Sequence, residues 1–473
     1  MKQPFSFEIV AKSGGLARAG VIRTPHGPIA TPTFSVVGTH AEVKCLTPDD
    51  LRAVGVQVML SNGYHLLRRA VMIDAAGGLA EFNGWSGPTM TDSGGFQVMS
   101  LGSGLGKIIS MKKENPLVIA RSETTKQSSE SKNEPGLPRQ TSLPRDDNSI
   151  ERNDRLAIVH DDGVEFRNPW NGRIVRFTPE MSMRIQHQLG SDMMMAFDEL
   201  TNISDTYQYN VEALERTRTW AERSLAEHVR QTNLRADRPR QALFGVLQGA
   251  HYQDLREKAA HDLASMRVDG AEFDGFGLGG AFEKERLGEI LSWMTRILPE
   301  GKPRHLLGLG RPDDIFIGVE NGCDTFDCVA PTREARHGRV YTLAGDINLR
   351  RSEFADDGRP LDEDCDCPTC NKIAVIARSE TTKQSSESKN EPGLPRPTSL
   401  PRHDKGFYSR AELRVMLKSP EPDEKARALA LLSQHNVRFI VRLTEQIRAA
   451  IIDGTFSDFK NFWLERYRGT MIT

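Results

Sequence analysis

Three carboxylates and an amide close short apolar runs that lie far apart in the chain. Asp92 ends Pro88-Thr89-Met90-Thr91, Asp198 ends Met193-Met194-Met195-Ala196-Phe197, Asp327 follows Thr325-Phe326, and Gln248 ends Leu243-Phe244-Gly245-Val246-Leu247. A run of this kind reads as a strand buried on both faces, as in a parallel sheet. A polar residue just past its end faces the open end of that sheet, which in a (β/α)8 barrel carries the active site. No nucleophilic Ser or Cys elbow accompanies these residues, so the chemistry they suggest is run by carboxylates. Asp327 is a candidate covalent nucleophile at an anomeric carbon, and Asp92 a candidate partner acid/base. A single Asp at such a place is more readily a helix or loop cap; it is the joint placement that argues for chemistry.

The neighbours of these acids add to the pattern. Ser93-Gly94-Gly95 follows Asp92 and suits a backbone held close to a ligand. Arg333, Arg336 and Arg339 follow Asp327. Taken alone they fit a solvated charged loop as well as a phosphate site. Beside a nucleophile aimed at a sugar, their planar forks point to a nucleotide or nucleic-acid substrate.

A second cluster has metal-ligand spacing. Cys365-Asp366-Cys367-Pro368-Thr369-Cys370 places three thiols within six residues. Three thiolates can surround one Zn2+ at about 2.3 Å each, and a structural site then needs a fourth ligand. His435, in a helical stretch downstream, supplies it, although a histidine there alone would read as a packing residue. A closed Cys3His set leaves no position for a catalytic water, so the expected zinc is structural. The six cysteines lie in a large chain whose N-terminus has no apolar signal core, which favours a reduced compartment and a metal over disulfides. The expected location is the cytoplasm. No apolar stretch approaches the roughly 18 residues of a membrane span.

These residues need elements to hold them. Short strands are expected at 7–10, 20–23 and 31–34, and Thr47-Pro48-Asp49-Asp50 resembles a helix start. Strand 56–60 precedes the Asp92 strand. Helical periodicity at 179–190 and 208–231 brackets the Asp198 strand. The Gln248 strand, helix 251–266, strand 273–278, helix 283–297, strand 305–308, helix 312–321 and strand 324–329 follow. The alternation predicts a parallel α/β sheet closed into a (β/α)8 TIM barrel, with a zinc-binding subdomain near the C-terminus and a mostly helical tail from 411 to 467. Residues 1–360 form the expected catalytic barrel and 361–473 the zinc-binding and helical part. With 473 residues, 27% of them charged, 38% hydrophobic, and a net charge of −2, the chain has room for both. Near-neutral charge neither requires nor excludes a nucleic acid, because a local basic patch suffices.

Two stretches interrupt this plan. Residues 118–145 and 375–402 both read VIARSETTKQSSESKNEPGLPR-x-TSLPR, differing only in Gln140 against Pro397. Solenoid repeats keep an apolar pattern and vary elsewhere. These copies match even at polar positions and have the composition of a disordered linker. They read as a duplicated insertion, at about 115–150 and about 373–404, that surface loops absorb at little entropic cost. The Gly-rich Leu101–Gly106 does not have dinucleotide-fingerprint spacing and reads as a flexible loop.

Taken together, Thr91-Asp-Ser-Gly-Gly-Phe-Gln97, Phe166-Arg167-Asn168-Pro169, Phe197-Asp198-Glu199, Leu247-Gln248-Gly249, Gly279-Gly280, Gly308-Leu-Gly-Arg-Pro-Asp313, Phe326-Asp327-Cys328 and Cys365-x-Cys-x-x-Cys370 resemble the bacterial tRNA-guanine transglycosylase family. The resemblance runs from about residue 5 to the C-terminus. It implies exchange of the wobble guanine of tRNAs with a GUN anticodon for preQ1, 7-aminomethyl-7-deazaguanine, without ATP or a redox cofactor. It implies Asp327 as the nucleophile on ribose C1′ and Asp92 as the handler of the base proton. Ser93, Gly94, Gly95, Asp198, Gln248 and Gly280 would surround the base, and Phe96 would stack on it. Gly308, Leu309, Gly310, Arg311, Pro312, Asp313 and Asp314, with Thr332, Arg333, Glu334, Ala335 and Arg336, match tRNA-contacting loops. The family pattern also implies a homodimer. Leu200 stands where many bacterial members have Cys, and Ala281 where Leu is usual. A tRNA-binding scaffold without catalysis would not need Asp92 and Asp327. A zinc hydrolase would need histidines at strand ends, which this chain lacks.

Overall fold

The computed structural model describes residues 5–97, 157–167, 172–371 and 406–469. The Gly-rich loop at 101–106, Asn168-Pro169 and both repeat copies lie outside the described residues. Eight strands close into a barrel: β1 (Thr33–Val37), β2 (Met59–Asn62), β3 (Thr89–Asp92), β4 (Met193–Met195), β5 (Ala242–Leu247), β6 (Gly275–Leu278), β7 (Arg304–Leu306) and β8 (Thr325–Cys328). Every pairing is parallel, and β8 returns to β1 with Asp327 opposite Ser35. The strands read as apolar runs because both faces are covered; all of Ala242–Leu247 is buried.

The helices follow their sequence signals. α1 (Pro48–Ala53) has the expected Thr47 cap, with Thr47 and Asp50 in a reciprocal capping box. α2 (Pro179–Leu189) starts on Thr178 and Pro179 and stops at Gly190, whose φ of +66° ends the helix in the left-handed region. α3 (Tyr207–Leu234), α4 (Gln253–Ser265), α5 (Leu287–Thr295), α6 (Pro312–Glu320) and α7 (Ala330–Arg336) complete the barrel layer. The C-terminal part contributes α8 (Arg410–Lys418), α9 (Pro422–Ile452) and α10 (Phe456–Gly469).

Two boundaries differ from the sequence reading. The strand expected at 31–34 is divided: Gly27–Thr31 closes an antiparallel sheet with Ser6–Lys12 and Arg18–Thr24, and Thr33 begins β1. Pro32 stands between them and has no amide N–H to continue a ladder. The strand expected at 56–60 runs instead from Met59 to Asn62, so a polar residue ends it. Between β3 and α2, Ala157–His160, Gly163–Arg167 and Ile174–Phe177 form a further antiparallel sheet. Its Phe166 and Phe177 pack with Tyr64, Phe197 and Trp220 in one buried cluster.

The bottom of the barrel is closed by a buried charge pair. Arg18 donates to both carboxylate oxygens of Asp324, from Nε at 2.9 Å and Nη2 at 2.6 Å. It also donates to the carbonyls of Glu300 and Lys302, while Asp324 accepts from the Arg304 amide. Neither side chain of the pair is exposed beyond 2%. Removing one partner leaves the other charge buried and uncompensated. Arg18→Met should therefore destabilise the fold by about 3–5 kcal/mol in urea unfolding, and a loss below 1 kcal/mol would show that the pair contributes little.

Candidate active site and metal centre

Asp92, the last residue of β3, accepts three hydrogen bonds. Asn62 Nδ2 donates at 2.6 Å, the Gly63 amide at 2.9 Å and the Gly94 amide at 3.1 Å. Asn62 is its direct neighbour across the β2–β3 pair, and the Asn62 Oδ1 caps the next turn by accepting from the His65 amide. Gly94 has φ +77°, and a Cβ there would press on Tyr64 at 3.0 Å, so the turn after Asp92 requires glycine. Burial pushes the Asp92 carboxyl up to about 7, and the nearby Asp327 charge adds to this against the three donors. A carboxyl poised near neutrality is suited to giving and taking a proton.

Asp198 lies past the end of β4 and joins the expected partners. Ser93 Oγ donates to one of its oxygens at 3.2 Å and Gln248 Nε2 to the other at 2.7 Å. Burial raises this carboxyl to about 6. Gln248 Oε1 is buried and has no protein partner among the described residues, so the pair still offers acceptors to a ligand edge. The Ser93 hydroxyl also accepts from the Gly95 amide, and Phe96 is half-buried in the helical turn that follows. Leu200 is half-buried two residues beyond Asp198.

Asp327, in β8, is 9% exposed. One oxygen, Oδ1, accepts from the Gly308 amide at 2.8 Å and lies 3.1 Å from His305 Nε2. His305 sits in β7 and is fully buried, with Nδ1 2.8 Å from Thr325 Oγ1.

Gly280, just past the end of β6, lies against a buried cation. Arg256 of α4 donates to the Ala250 carbonyl at 2.8 Å and to the Gly279 carbonyl at 2.6 Å. Its guanidinium sits over the Phe282 ring, and its Nη2 is buried without a protein partner among the described residues. Burial pulls its pKa down to about 9. A Cβ on Gly280, which has φ +126°, would lie 2.3 Å from that Nη2.

The loops expected to meet RNA divide by exposure. Gly308 and Arg333 are exposed, and Arg336 is half-buried. Leu309, Gly310, Pro312, Asp314, Thr332 and Ala335 are buried. A Cβ on Gly310 would meet the Phe34 ring at 2.7 Å. Arg311 pairs with Glu334 at 3.0 Å and Asp346 at 2.6 Å, and Asp313 pairs with Lys284 at 2.7 Å. The structure thus leaves Arg333 as the freest cation of this group, whereas Arg311 ties α6 to α7.

Sequence reading missed Asn62, His305 and Arg256. His305 and Arg256 sit inside an element, and Asn62 ends a strand whose end the sequence places two residues earlier. Asn62-Gly63 resembles a turn, His305 a strand position, and Arg256 the solvated face of a helix.

Cys365, Cys367, Cys370 and His435 come together with their ligand atoms all within 4.8 Å of one another, and all four are buried. His435 Nδ1 lies 3.3 Å from Cys370 Sγ and 3.5 Å from Cys367 Sγ. Its other nitrogen, Nε2, is 2.7 Å from the Tyr341 carbonyl. That bond places the proton on Nε2 and turns the Nδ1 lone pair toward the sulfurs, the arrangement of a metal-binding imidazole held from behind. The donor set fits one tetrahedral metal ion.

A model of the family "Queuine tRNA-ribosyltransferase" matches residues 13–129, 148–386 and 404–469. The chain belongs to this family. The two internal unmatched stretches, 130–147 and 387–403, each overlap one repeat copy. The chain is 35% identical over 467 residues to queuine tRNA-ribosyltransferases of Streptococcus pneumoniae strains P1031 and CGSP14, covering 98% of this chain and 97% of each relative. The resemblance read from the motifs is thereby established at family level, and the closed parallel barrel with its Cys3His cluster agrees with the expected fold. For the cluster, elemental analysis of the full chain should return about one metal ion per chain. Cys367→Ser should lower that content and the melting temperature together; an intact protein free of metal would refute the ligand set.

Proposed function

We propose that this pentosyltransferase exchanges guanine at the wobble position of GUN-anticodon tRNAs for preQ1, through a covalent Asp327–ribose intermediate, as a step of queuosine biosynthesis. Family membership and the named relatives support action on tRNA. The observation that carries the mechanism is the pairing of two unlike carboxyls at one barrel end: Asp327 with one oxygen anchored by donors, and Asp92 raised to about 7 beside it.

In the first half, an Asp327 oxygen attacks ribose C1′ as the C1′–N9 bond breaks. The departing guanine takes the electron pair and a proton from Asp92. In the second half, Asp92 removes the proton from the incoming base, whose nitrogen attacks C1′ and releases the Asp327 carboxylate. One glycosidic bond replaces another, so no outside energy source is required. Asp198 and Gln248 receive the polar edge of the base, Asp198 accepting adjacent N–H donors. Gly280 closes the wall and Phe96 stacks on the ring. The small Ala281 and the aliphatic Leu200 border this pocket and set its preference among 7-deazaguanines. Arg333 leads the phosphate contacts.

The bound metal is structural Zn2+ on Cys365, Cys367, Cys370 and His435; it braces the C-terminal part and takes no part in base exchange. The barrel occupies residues 1–360 and the zinc-binding and helical part 361–473, with the two repeat copies as insertions. The working unit is a cytoplasmic homodimer, by the family pattern.

Labelled guanine should enter cognate tRNA with the parent chain and not with Asp327→Ala. Robust incorporation by the variant would remove Asp327 from its role. Because only the ionised Asp198 can accept both adjacent N–H donors of the base, the KM for guanine should rise about tenfold from pH 7 to pH 5, as the carboxyl with pKa about 6 takes up its proton. A KM that is flat over this range would contradict base recognition by Asp198.

A further inference from the structure

We infer that His305 is a positioning residue for the nucleophile, and that the attacking atom is Asp327 Oδ2. The inference rests on the proposed role of Asp327. An ionised carboxylate only accepts hydrogen bonds, so the 3.1 Å contact requires a proton on His305 Nε2. In the neutral ring Nδ1 is then the acceptor, and Thr325 Oγ1 at 2.8 Å supplies its hydrogen. Thr325 and Asp327 are two residues apart on β8, so one strand holds both ends of the imidazole bridge. The ring is fully buried and cannot exchange these partners for water.

The consequence falls on the two carboxylate oxygens. Oδ1 takes both the His305 and the Gly308 donors, and its electron density is engaged by them. Among the described residues no hydrogen bond or ion pair reaches Oδ2, so the geometry leaves Oδ2 as the free nucleophilic oxygen. With Oδ1 fixed at two points, the carboxylate cannot rotate about its Cβ–Cγ bond. Holding a nucleophile in this way lowers the barrier of the attack without strengthening substrate binding. In the attack, Oδ2 forms the bond to C1′ and N9 leaves with its pair. Oδ1 becomes the carbonyl oxygen of the ester and keeps its donors. In the second half the ester C1′–Oδ2 bond breaks and the pair returns to Oδ2.

Full-length parent, His305→Leu, His305→Gln, Thr325→Val and Asp327→Asn are compared in guanine exchange and in single-turnover formation of the protein–tRNA adduct without added base. Letting a reacting group slip by about 1 Å costs about a hundredfold in rate, so His305→Leu should lose about that in kcat, with KM for guanine within about twofold and adduct formation slowed in parallel. His305→Gln, whose amide can occupy the Nε2 position, should recover most of the loss. Thr325→Val, which keeps volume and removes the hydroxyl, should lose several-fold in kcat alone. Parental kcat in His305→Leu, or equal loss in the Leu and Gln variants at unchanged tRNA affinity and melting temperature, overturns the inference. If His305→Leu does not fold, parental kcat in Thr325→Val overturns it. Asp327→Asn separates the two levels. Exchange by that variant would sink the nucleophile itself, whereas an inactive Asp327→Asn beside a fully active His305→Leu would sink only the role of His305.

Discussion

Parallel closure of β8 onto β1 is the constraint from which the site geometry follows. It sets Asp327 opposite Ser35 and brings β7 alongside, so that His305 and the Gly308 amide can reach one carboxylate. The closure is held at the opposite end by Arg18 and Asp324, at the start of the same strand. One short strand thus has a structural acid before it and the proposed nucleophile within it. The first carries a full guanidinium fork; the second is offered backbone and imidazole donors on one oxygen only. That difference in partners, rather than residue type, separates their roles.

The C-terminal helix α9 extends this frame. His435 and Asn436 are adjacent, and both bind the loop that leaves the barrel. His435 contacts the Tyr341 carbonyl, while Asn436 accepts from the Tyr341 amide and donates to the carbonyls of Pro331 and Arg339. Arg438, three residues after His435, forks onto Asp366 between Cys365 and Cys367. The Cys3His cluster and the segment following Asp327 are therefore gripped by the same stretch of one helix. A buried polar network of this sort is stable only when every member is satisfied, which explains why so many polar groups on α9 are buried.

The alternation of strands and helices was legible because both strand faces are covered and the apolar runs are short. The acids were legible because they follow those runs. The thiol cluster was legible from spacing alone, and the structure brings His435 to it. What escaped the reading was orientation. His305 lies in a strand whose two neighbours, Arg304 and Leu306, are also buried, so burial pattern did not mark it. Asn62 was hidden by a strand boundary displaced toward the C-terminus, and Arg256 by its place on a helix rich in charged residues. Their roles arise from contacts between residues distant in sequence, which a one-dimensional pattern does not carry.

Arg256 also limits how this pocket can diverge. Its guanidinium fills the space behind Gly280 and clamps the preceding carbonyl. Any side chain at position 280 would have to displace a buried cation and adopt a backbone angle that L-residues avoid. That stretch of wall is frozen. On the proposed reading of this pocket, a change of base preference therefore falls to positions other than 280, such as Ala281 and Leu200.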